Sequence, residues 1–288
     1  MDPTYDRILG LQSISTSTID ELYSSGRIQL DSIHNAPADI RPHEKLVITN
    51  CTSSNSALAL LDSSKEWIQI VKESKTWGIQ GRNKEQLFLL KLLRDNTIRC
   101  QVVLGNAGTG KTLLVFASAL SQVLEKKNYK KIVFTKPTYE VGTGPGLGTV
   151  PGDISEKFAP FLGSYDHIAS ELGISQFQQA QNNISFEPIQ RMRGKSYIET
   201  LVVADEVQSL DRHEMQTLCT RIGKGSKLIL MGDLQQIDRR IRLEDTGLYT
   251  LATSERIKDS PLCATVELVK NERSEISTLL NQVLSKTT

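Results

Sequence analysis

Apolar runs and segments with helical spacing alternate along most of the chain. Five runs predict buried strands because they are almost wholly apolar, and they cover residues 100–104, 131–135, 200–204, 227–231 and 264–268. Apolar positions three and four apart predict helices over residues 113–120, 154–173 with an interruption at Pro160, 215–222 and 275–284, after a first helix that begins at residue 84. This alternation predicts an α/β fold, a parallel sheet with helices on both faces.

The first 76 residues follow a different pattern. Serine and threonine are dense over residues 13–18, prolines stand at positions 37 and 42, and β-like runs follow at 46–49 and 67–71. A short helix is predicted over residues 19–24. We therefore expect an N-terminal helix and small β-rich module over residues 1–76 and an α/β domain over residues 77–288, since 288 residues are enough for both.

Composition sets few limits on function. The chain has 34 basic and 33 acidic side chains, and this balance neither favours nor excludes nucleic acid, because a local basic groove can lie within it. No apolar run approaches the ~20 residues of a transmembrane helix, and residues 1–4 carry no signal pattern, so we expect a cytoplasmic protein without a membrane partner. No C-x-x-C pair is present, and we expect reduced core thiols at Cys51, Cys100, Cys219 and Cys263.

A phosphate-binding loop lies between the first apolar strand and the helix after it. The pattern G-x-x-x-x-G-K-[ST] is complete, which assigns nucleotide binding to Gly105, Asn106, Ala107, Gly108, Thr109, Gly110, Lys111 and Thr112. The glycines let the backbone aim consecutive N–H groups at one anion. Lys111 is predicted to reach the β- and γ-phosphates, while the Thr112 hydroxyl holds Mg²⁺. The sequence therefore predicts a nucleoside triphosphate site.

Two acidic residues follow the strand predicted at 200–204. Asp205 is predicted to hold the Mg²⁺ shell, and Glu206 to orient or deprotonate the attacking water. The alternative is that the pair only begins an acidic helix. A base at Glu206 would indicate hydrolysis rather than binding alone.

Further polar residues lie where a nucleotide would need them. Gln236 follows the strand at 227–231, at the sheet edge that binds ligands in α/β proteins, and is predicted to contact the γ-phosphate or the water, with Gln235 as second choice. An ordinary turn is the alternative. Gln86, about 20 residues before the P-loop, is predicted to pair with the adenine edge. Arg273 is predicted to stabilise charge on the γ-phosphate, although a surface arginine fits the pattern equally well.

Together these motifs resemble the PhoH-like ATPases, a branch of the P-loop proteins related to superfamily 1 helicase motors. The resemblance covers residues 77–280. Besides the P-loop it includes Thr135-Lys136-Pro137, L-G-T-V-P-G-D at 147–153, Met192-Arg193-Gly194, Asp205-Glu206-Val207-Gln208, Thr220-Arg221-Ile222-Gly223 and Gly232-Asp233 with Gln236-Ile237-Asp238. The resemblance implies a RecA-like P-loop NTPase sheet with ATP and Mg²⁺ as cofactors. It also implies ATP hydrolysis coupled to single-stranded RNA, with helicase-like activity. The expected assembly is a homo-oligomer such as a hexameric ring.

The chain is most similar to the class in which a PIN ribonuclease domain precedes the ATPase. This similarity lies in residues 78–86, in Glu272-Arg273-Ser274 and in residues 19–23, which resemble the segment between the two domains. Fewer than 20 residues precede that segment. A PIN domain needs roughly a hundred, so we expect the ATPase part without its nuclease.

Residues 136–157 leave the end of the strand at 131–135 with five glycines and, after Pro137, two further prolines. This segment is predicted to line a nucleic-acid path or, alternatively, to form a lid over the nucleotide. The leading interpretation is an RNA-dependent ATPase or helicase-like motor. The alternative is a non-motor protein, a regulatory ATPase or small-molecule kinase whose nucleotide state controls a partner. Glu206 disfavours a module that binds nucleotide only for structure.

Overall fold

A computed structural model describes residues 5–34, 36–50, 55–137, 168, 183–237 and 241–272, and these residues form two sheets. The N-terminal elements are β1 (Ile8–Leu11), α1 (Thr16–Ser25), β2 (Arg27–Gln29), β3 (Lys45–Thr49), β4 (Ser56–Leu61) and β5 (Trp67–Ile70). Their sheet has the order β1-β3-β4-β5-β2. It is mixed, because β1 runs parallel to β3 while the other pairs are antiparallel.

The second sheet has six strands. They are β6 (Cys100–Gly105), β7 (Lys131–Lys136), β8 (Ile184–Pro188), β9 (Thr200–Ala204), β10 (Lys227–Gly232) and β11 (Cys263–Leu268). The order is β11-β6-β10-β9-β7-β8, and every pair is parallel. The helices described with this sheet are α2 (Lys84–Leu93), α3 (Lys111–Leu120), α4 (Arg212–Cys219), α5 (Gly247–Thr253) and α6 (Glu255–Lys258).

Helices cover both faces of this parallel sheet. Ile229 and Met231 of β10 pack in one apolar cluster with residues of α2 and α3, whereas Leu228 and Leu230 pack in a second cluster with residues of α4 and α5. Successive side chains of a strand point to opposite faces, so a strand buried on both sides must be apolar throughout. The predicted α/β sheet with two helical layers is therefore confirmed.

The N-terminal region covers the free edge of β11. Asp6 and Lys45 form a buried ion pair of 2.5 Å, with each side chain 7% exposed. Asp6 Oδ2 accepts a hydrogen bond from the backbone N–H of Glu267 at 3.0 Å, and Lys45 Nζ donates to the carbonyl of Thr265 at 3.0 Å. The pair thus satisfies backbone groups that an edge strand would otherwise leave open.

The structure corrects one predicted helix and adds elements. The helix expected at 215–222 is α4, which begins three residues earlier because Asp211 and Glu214 form a capping box. β8 was not predicted, since polar and apolar residues mix along it. The boundary at residue 76 stays a prediction. The expected helices at 154–173 and 275–284 lie outside the described residues, apart from Ile168. Within the described ranges, no helix has the length and apolar character needed to cross a membrane.

Candidate nucleotide-binding site

The P-loop connects β6 to α3 at the carboxyl edge of the parallel sheet. Gly105 has φ 149°, and a Cβ atom there would lie 2.5 Å from the carbonyl oxygen of Leu268. Only glycine fits this position, because the neighbouring strand β11 comes too close for a side chain. α3 then begins at Lys111. The loop therefore ends at a helix N-terminus, which favours anions.

The predicted phosphate-binding lysine lies across the loop. Lys111 is 9% exposed, and its Nζ donates to the carbonyls of Gly105 and Asn106, the latter at 3.0 Å. A phosphate is a stronger acceptor for an ammonium group than a neutral carbonyl, because both partners are then charged. The described position is one from which Lys111 can turn toward a bound nucleotide.

Gln86 is held against the P-loop. Its Nε2 donates to the carbonyl of Thr109 at 3.0 Å, and its Oε1 accepts from the N–H of Arg82 at 2.8 Å. The side chain is only 3% exposed. Both amide atoms therefore have protein partners in this structure. The adenine contact stays a prediction, and the geometry gives Gln86 a different role, support of the loop backbone.

The segment that follows β11 also contacts the P-loop. The N–H of Glu272 donates to the carbonyl of Gly108 at 3.0 Å, and its Oε1 accepts from Asn83 Nδ2 at 2.8 Å. Asn83 is also the N-cap of α2. Sequence reasoning missed this pair, although the position of Asn83 before a helix was a signal for a cap. Arg273, the next residue after Glu272, lies outside the described residues.

Asp205 directly follows β9, which is separated from the P-loop strand β6 by β10. It is 6% exposed and its N–H donates to the carbonyl of Thr135 on β7 at 2.9 Å. Burial and the charge of Glu206 raise the pKa of Asp205 to about 6, against smaller opposing effects of Lys136 and Lys111. A divalent cation at this carboxylate would relieve the cost of the buried negative charge.

Glu206 has a constrained backbone and a fixed side chain. Its φ is 54°, in the left-handed region that non-glycine residues seldom adopt. Gln208 Nε2 donates to Glu206 Oε2 at 2.8 Å. The Gln208 Oε1 faces the N–H of Asp233 at 3.4 Å, and a Cβ atom on Gly232 would lie 2.9 Å from that oxygen. Gln208 was not among the predicted site residues, although it lies two positions after Glu206.

Asp233 is a further carboxylate at this edge that the predicted site did not include. It is 4% exposed, and burial raises its pKa. Its Oδ1 accepts from the N–H of Gln235 at 2.9 Å, whereas its buried Oδ2 has no hydrogen-bond partner among the described residues. Gln235 and Gln236 occupy the turn after β10 with exposed side chains. A catalytic role for Gln236 stays a prediction.

The donors at this edge fit Mg²⁺ bound together with a nucleotide. Mg²⁺ is usually held by one or two carboxylates and a hydroxyl, with phosphates and waters completing the octahedron. Thr112 and Asp205 are the predicted protein ligands, and Asp233, whose carboxylate interacts electrostatically with Lys111 and Glu206, is a further carboxylate at this edge. Nowhere in the described ranges do three or more His, Cys, Asp or Glu side chains form a metal site of their own.

Comparisons with known proteins agree with these motifs. A family model described as PhoH-like protein matches residues 78–284. Protein PhoH2 of Mycolicibacterium smegmatis is 32% identical over 95% of this chain and 61% of its own length. Protein PhoH2 of Bacillus subtilis is 33% identical over 80% of this chain and 54% of its own length. The chain thus spans little more than half of these relatives.

Among solved structures, a crystal structure of Pif1 helicase from Candida albicans aligns with this chain with a TM-score of 0.40 and 20% identity. The alignment covers 72% of this chain and 44% of that chain.

Proposed function

The chain belongs to the PhoH-like protein family, and on that premise we propose that it hydrolyses ATP with Mg²⁺ and couples hydrolysis to single-stranded RNA as a helicase-like motor. The observation that carries the hydrolysis proposal is the position of Lys111, Asp205 and Glu206 at one edge of the sheet. Asp205 and Glu206 directly follow β9, which is separated from the P-loop strand β6 by β10. This position supports the proposal that the γ-phosphate binds on the side of the loop that faces Asp205 and Glu206.

Each residue has a chemical task in this proposal. Lys111 exchanges its carbonyl acceptors for the β- and γ-phosphates. Glu206 accepts the proton of the attacking water, and Gln208 holds one of its carboxylate oxygens so that the other faces the water. Thr112 and Asp205 hold Mg²⁺, which neutralises charge on the phosphates when bound. Gln236 contacts the γ-phosphate or the water from the turn after β10.

The RNA proposal rests on the family and on the segment that leaves β7. Thr135 at the end of β7 accepts a hydrogen bond from the N–H of Asp205. The chain therefore leaves β7 beside Asp205, and the glycine-rich residues 138–157 follow it in the sequence. A glycine-rich segment at this place suits a nucleic-acid path whose state follows the nucleotide.

We further propose that Arg273 acts across a subunit boundary in a homo-oligomer such as a hexameric ring. An arginine supplied by a neighbour to the γ-phosphate is worth about 10³-fold or more in rate in related chemistry. Arg273→Ala is expected to retain ATP binding and assembly but lose hydrolysis. Mixing it with Lys111→Ala protein should restore activity if subunits exchange. Full activity of a strictly monomeric wild-type protein would contradict the shared site.

The central experiment measures phosphate release with and without single-stranded RNA. Lys111→Ala is expected to abolish turnover, and Glu206→Gln to keep ATP binding while slowing hydrolysis about 100-fold or more. Glu244→Gln, which changes an exposed carboxylate, is the matched control.

RNA is expected to raise the rate and to bind with salt-sensitive affinity, because phosphate contacts release counterions. An intact ATPase that binds no RNA at low salt would instead support the non-motor alternative, a regulatory ATPase. Transfer of the γ-phosphate to a small molecule would support a kinase.

A further inference from the structure

Two cysteines meet at the end of the parallel sheet opposite the P-loop. Cys100 is the first residue of β6 and Cys263 the first residue of β11, and the two are direct partners in the parallel register. Adjacent strands lie about 4.8 Å apart, and partners in a parallel pair project to the same face. A disulfide needs Cα atoms about 4.4–6.8 Å apart. The backbone therefore already has the spacing of a disulfide.

The two thiols differ in acidity. The hydrogen bond between them, together with burial, raises the pKa of Cys100, whereas the same bond lowers the pKa of Cys263, aided by the Ser260 side chain. Burial raises the pKa of the third described cysteine, Cys219, to about 11. Since the thiolate is the nucleophile in exchange reactions, we expect Cys263 to react first of the three. Its neighbour Leu262 is 54% exposed, so a small reagent can approach this end of the strand.

All three thiols are free, and none of them belongs to a metal site within the described part of the chain. The nucleotide chemistry described above uses none of them. We propose that Cys100 and Cys263 form a reversible disulfide site, opened and closed by exchange with a low-molecular-weight disulfide such as oxidised glutathione.

The exchange balances in two steps. The Cys263 thiolate attacks one sulfur of oxidised glutathione, the glutathione S–S bond breaks, and one glutathione leaves and takes up a proton. The Cys100 thiol then loses its proton to water and attacks Cys263 Sγ, and the second glutathione leaves as a thiol. Two protein thiols and one glutathione disulfide become one protein disulfide and two glutathione molecules.

The bond would join the P-loop strand to the edge strand at their amino ends. Five residue steps separate Cys100 from Gly105 along β6, and five separate Cys263 from Leu268 along β11. At about 3.3 Å per residue that is roughly 17 Å, so the disulfide would leave the nucleotide site open. The modification would thus act on the sheet and not by blocking ATP.

The test treats the folded, reduced chain with oxidised glutathione at neutral pH and maps the products by protease digestion and mass spectrometry. We expect the loss of two hydrogens, a linked pair of peptides that carry Cys100 and Cys263, and full reversal by dithiothreitol. Cys100→Ser should stop at a glutathione adduct on Cys263, because the second thiol is gone. Cys219→Ser is the matched control and should behave like the wild type.

Other products would overturn the proposal. These are a disulfide that involves Cys219 or Cys51, an intramolecular disulfide that survives in Cys100→Ser, or no loss of thiols in the folded wild-type chain. A second measurement is independent of any variant. The pH profile of iodoacetamide modification should show Cys263 reacting at lower pH than Cys219, and the reverse order would contradict the assigned nucleophile.

Discussion

The amide of Gln208 donates a hydrogen bond of 2.8 Å to Glu206 Oε2, and its oxygen faces the N–H of Asp233. One side chain therefore ties the residue proposed as the base to the end of the next strand. Glu206 cannot turn freely toward solvent while this contact lasts. We interpret Gln208 as the positioning residue for Glu206.

Gln208→Ala should lower kcat with little change in ATP affinity. Without the amide, Glu206 is no longer held in one orientation, and loss of such positioning costs about 10- to 100-fold in rate. Steady-state phosphate release and nucleotide titration would measure the two effects separately. Gln216→Ala, on the exposed side of α4, is the control. A loss of ATP affinity with unchanged kcat would show that Gln208 acts elsewhere.

The pKa of Asp205 predicts a pH dependence of stability. Its ordinary value is 3.8, and the folded value is about 6. Between these values the folded chain binds a proton that the unfolded chain does not, so the stability of the nucleotide-free protein should fall as pH rises through this window. Two pKa units correspond to about 3 kcal/mol.

Asp205→Asn should therefore stabilise the nucleotide-free protein by up to about 3 kcal/mol at neutral pH and hardly at all near pH 4. Denaturant unfolding at a series of pH values would measure this difference. Asp20→Asn, an exposed carboxylate on α1, is the control. An equal effect of Asp205→Asn at every pH would mean that its charge is not the cause.

Gln86→Ala separates two roles for this side chain. If Gln86 supports the P-loop, the loss of its bonds to Thr109 and Arg82 should weaken ATP and GTP by the same factor, about 10-fold for a buried hydrogen bond with its partner left unsatisfied. If it recognises adenine, only ATP should be affected. Competition binding with both nucleotides gives the ratio, and Gln80→Ala, with an exposed side chain, is the control.

The Asp6–Lys45 pair should behave as a buried ion pair. Asp6→Ala alone leaves the buried ammonium without its charged partner and the N–H of Glu267 without its acceptor, which is expected to cost about 3–5 kcal/mol of unfolding free energy. Asp6→Leu combined with Lys45→Met should cost less, because no charge is then buried alone. Chemical denaturation of the single and double variants measures the coupling.

The control for this pair is Asp39→Ala. Asp39 pairs with Arg7 on the surface, where its side chain is 69% exposed. Its removal should leave the unfolding free energy almost unchanged. Equal losses for Asp6→Ala and Asp39→Ala would contradict a special role of the buried pair.

The parts of this structure that follow from local sequence were predictable. The P-loop is set by one strand, one turn and one helix, and Asp205 and Glu206 follow their strand directly. Their neighbours in space were not predictable in the same way. The contacts of Gln208 with Asp233 and of Glu272 with Gly108 join residues far apart in the chain. Only the strand order brings them together.

The misjudged elements have separate reasons. α4 was placed too late because its start is fixed by a capping box of polar residues and not by its apolar spacing. β8 was missed because Ser185 and Glu187 interrupt the apolar pattern of an edge strand. Likewise, the pairing of Cys100 with Cys263 depends on which strands are neighbours, and no spacing rule for cysteines indicates it.

The covered edge of β11 matters for the choice of a truncation point in this chain. The family match begins at residue 78, which makes a cut just before it an obvious choice for producing the P-loop domain alone. Such a cut removes Asp6 and Lys45 and leaves backbone donors and acceptors of β11 facing solvent. An uncovered parallel edge is a template for adding a strand from another molecule. A shortened chain is therefore expected to self-associate through this edge, and filaments or aggregates seen with it would be a product of the truncation and would not report how the uncut chain associates.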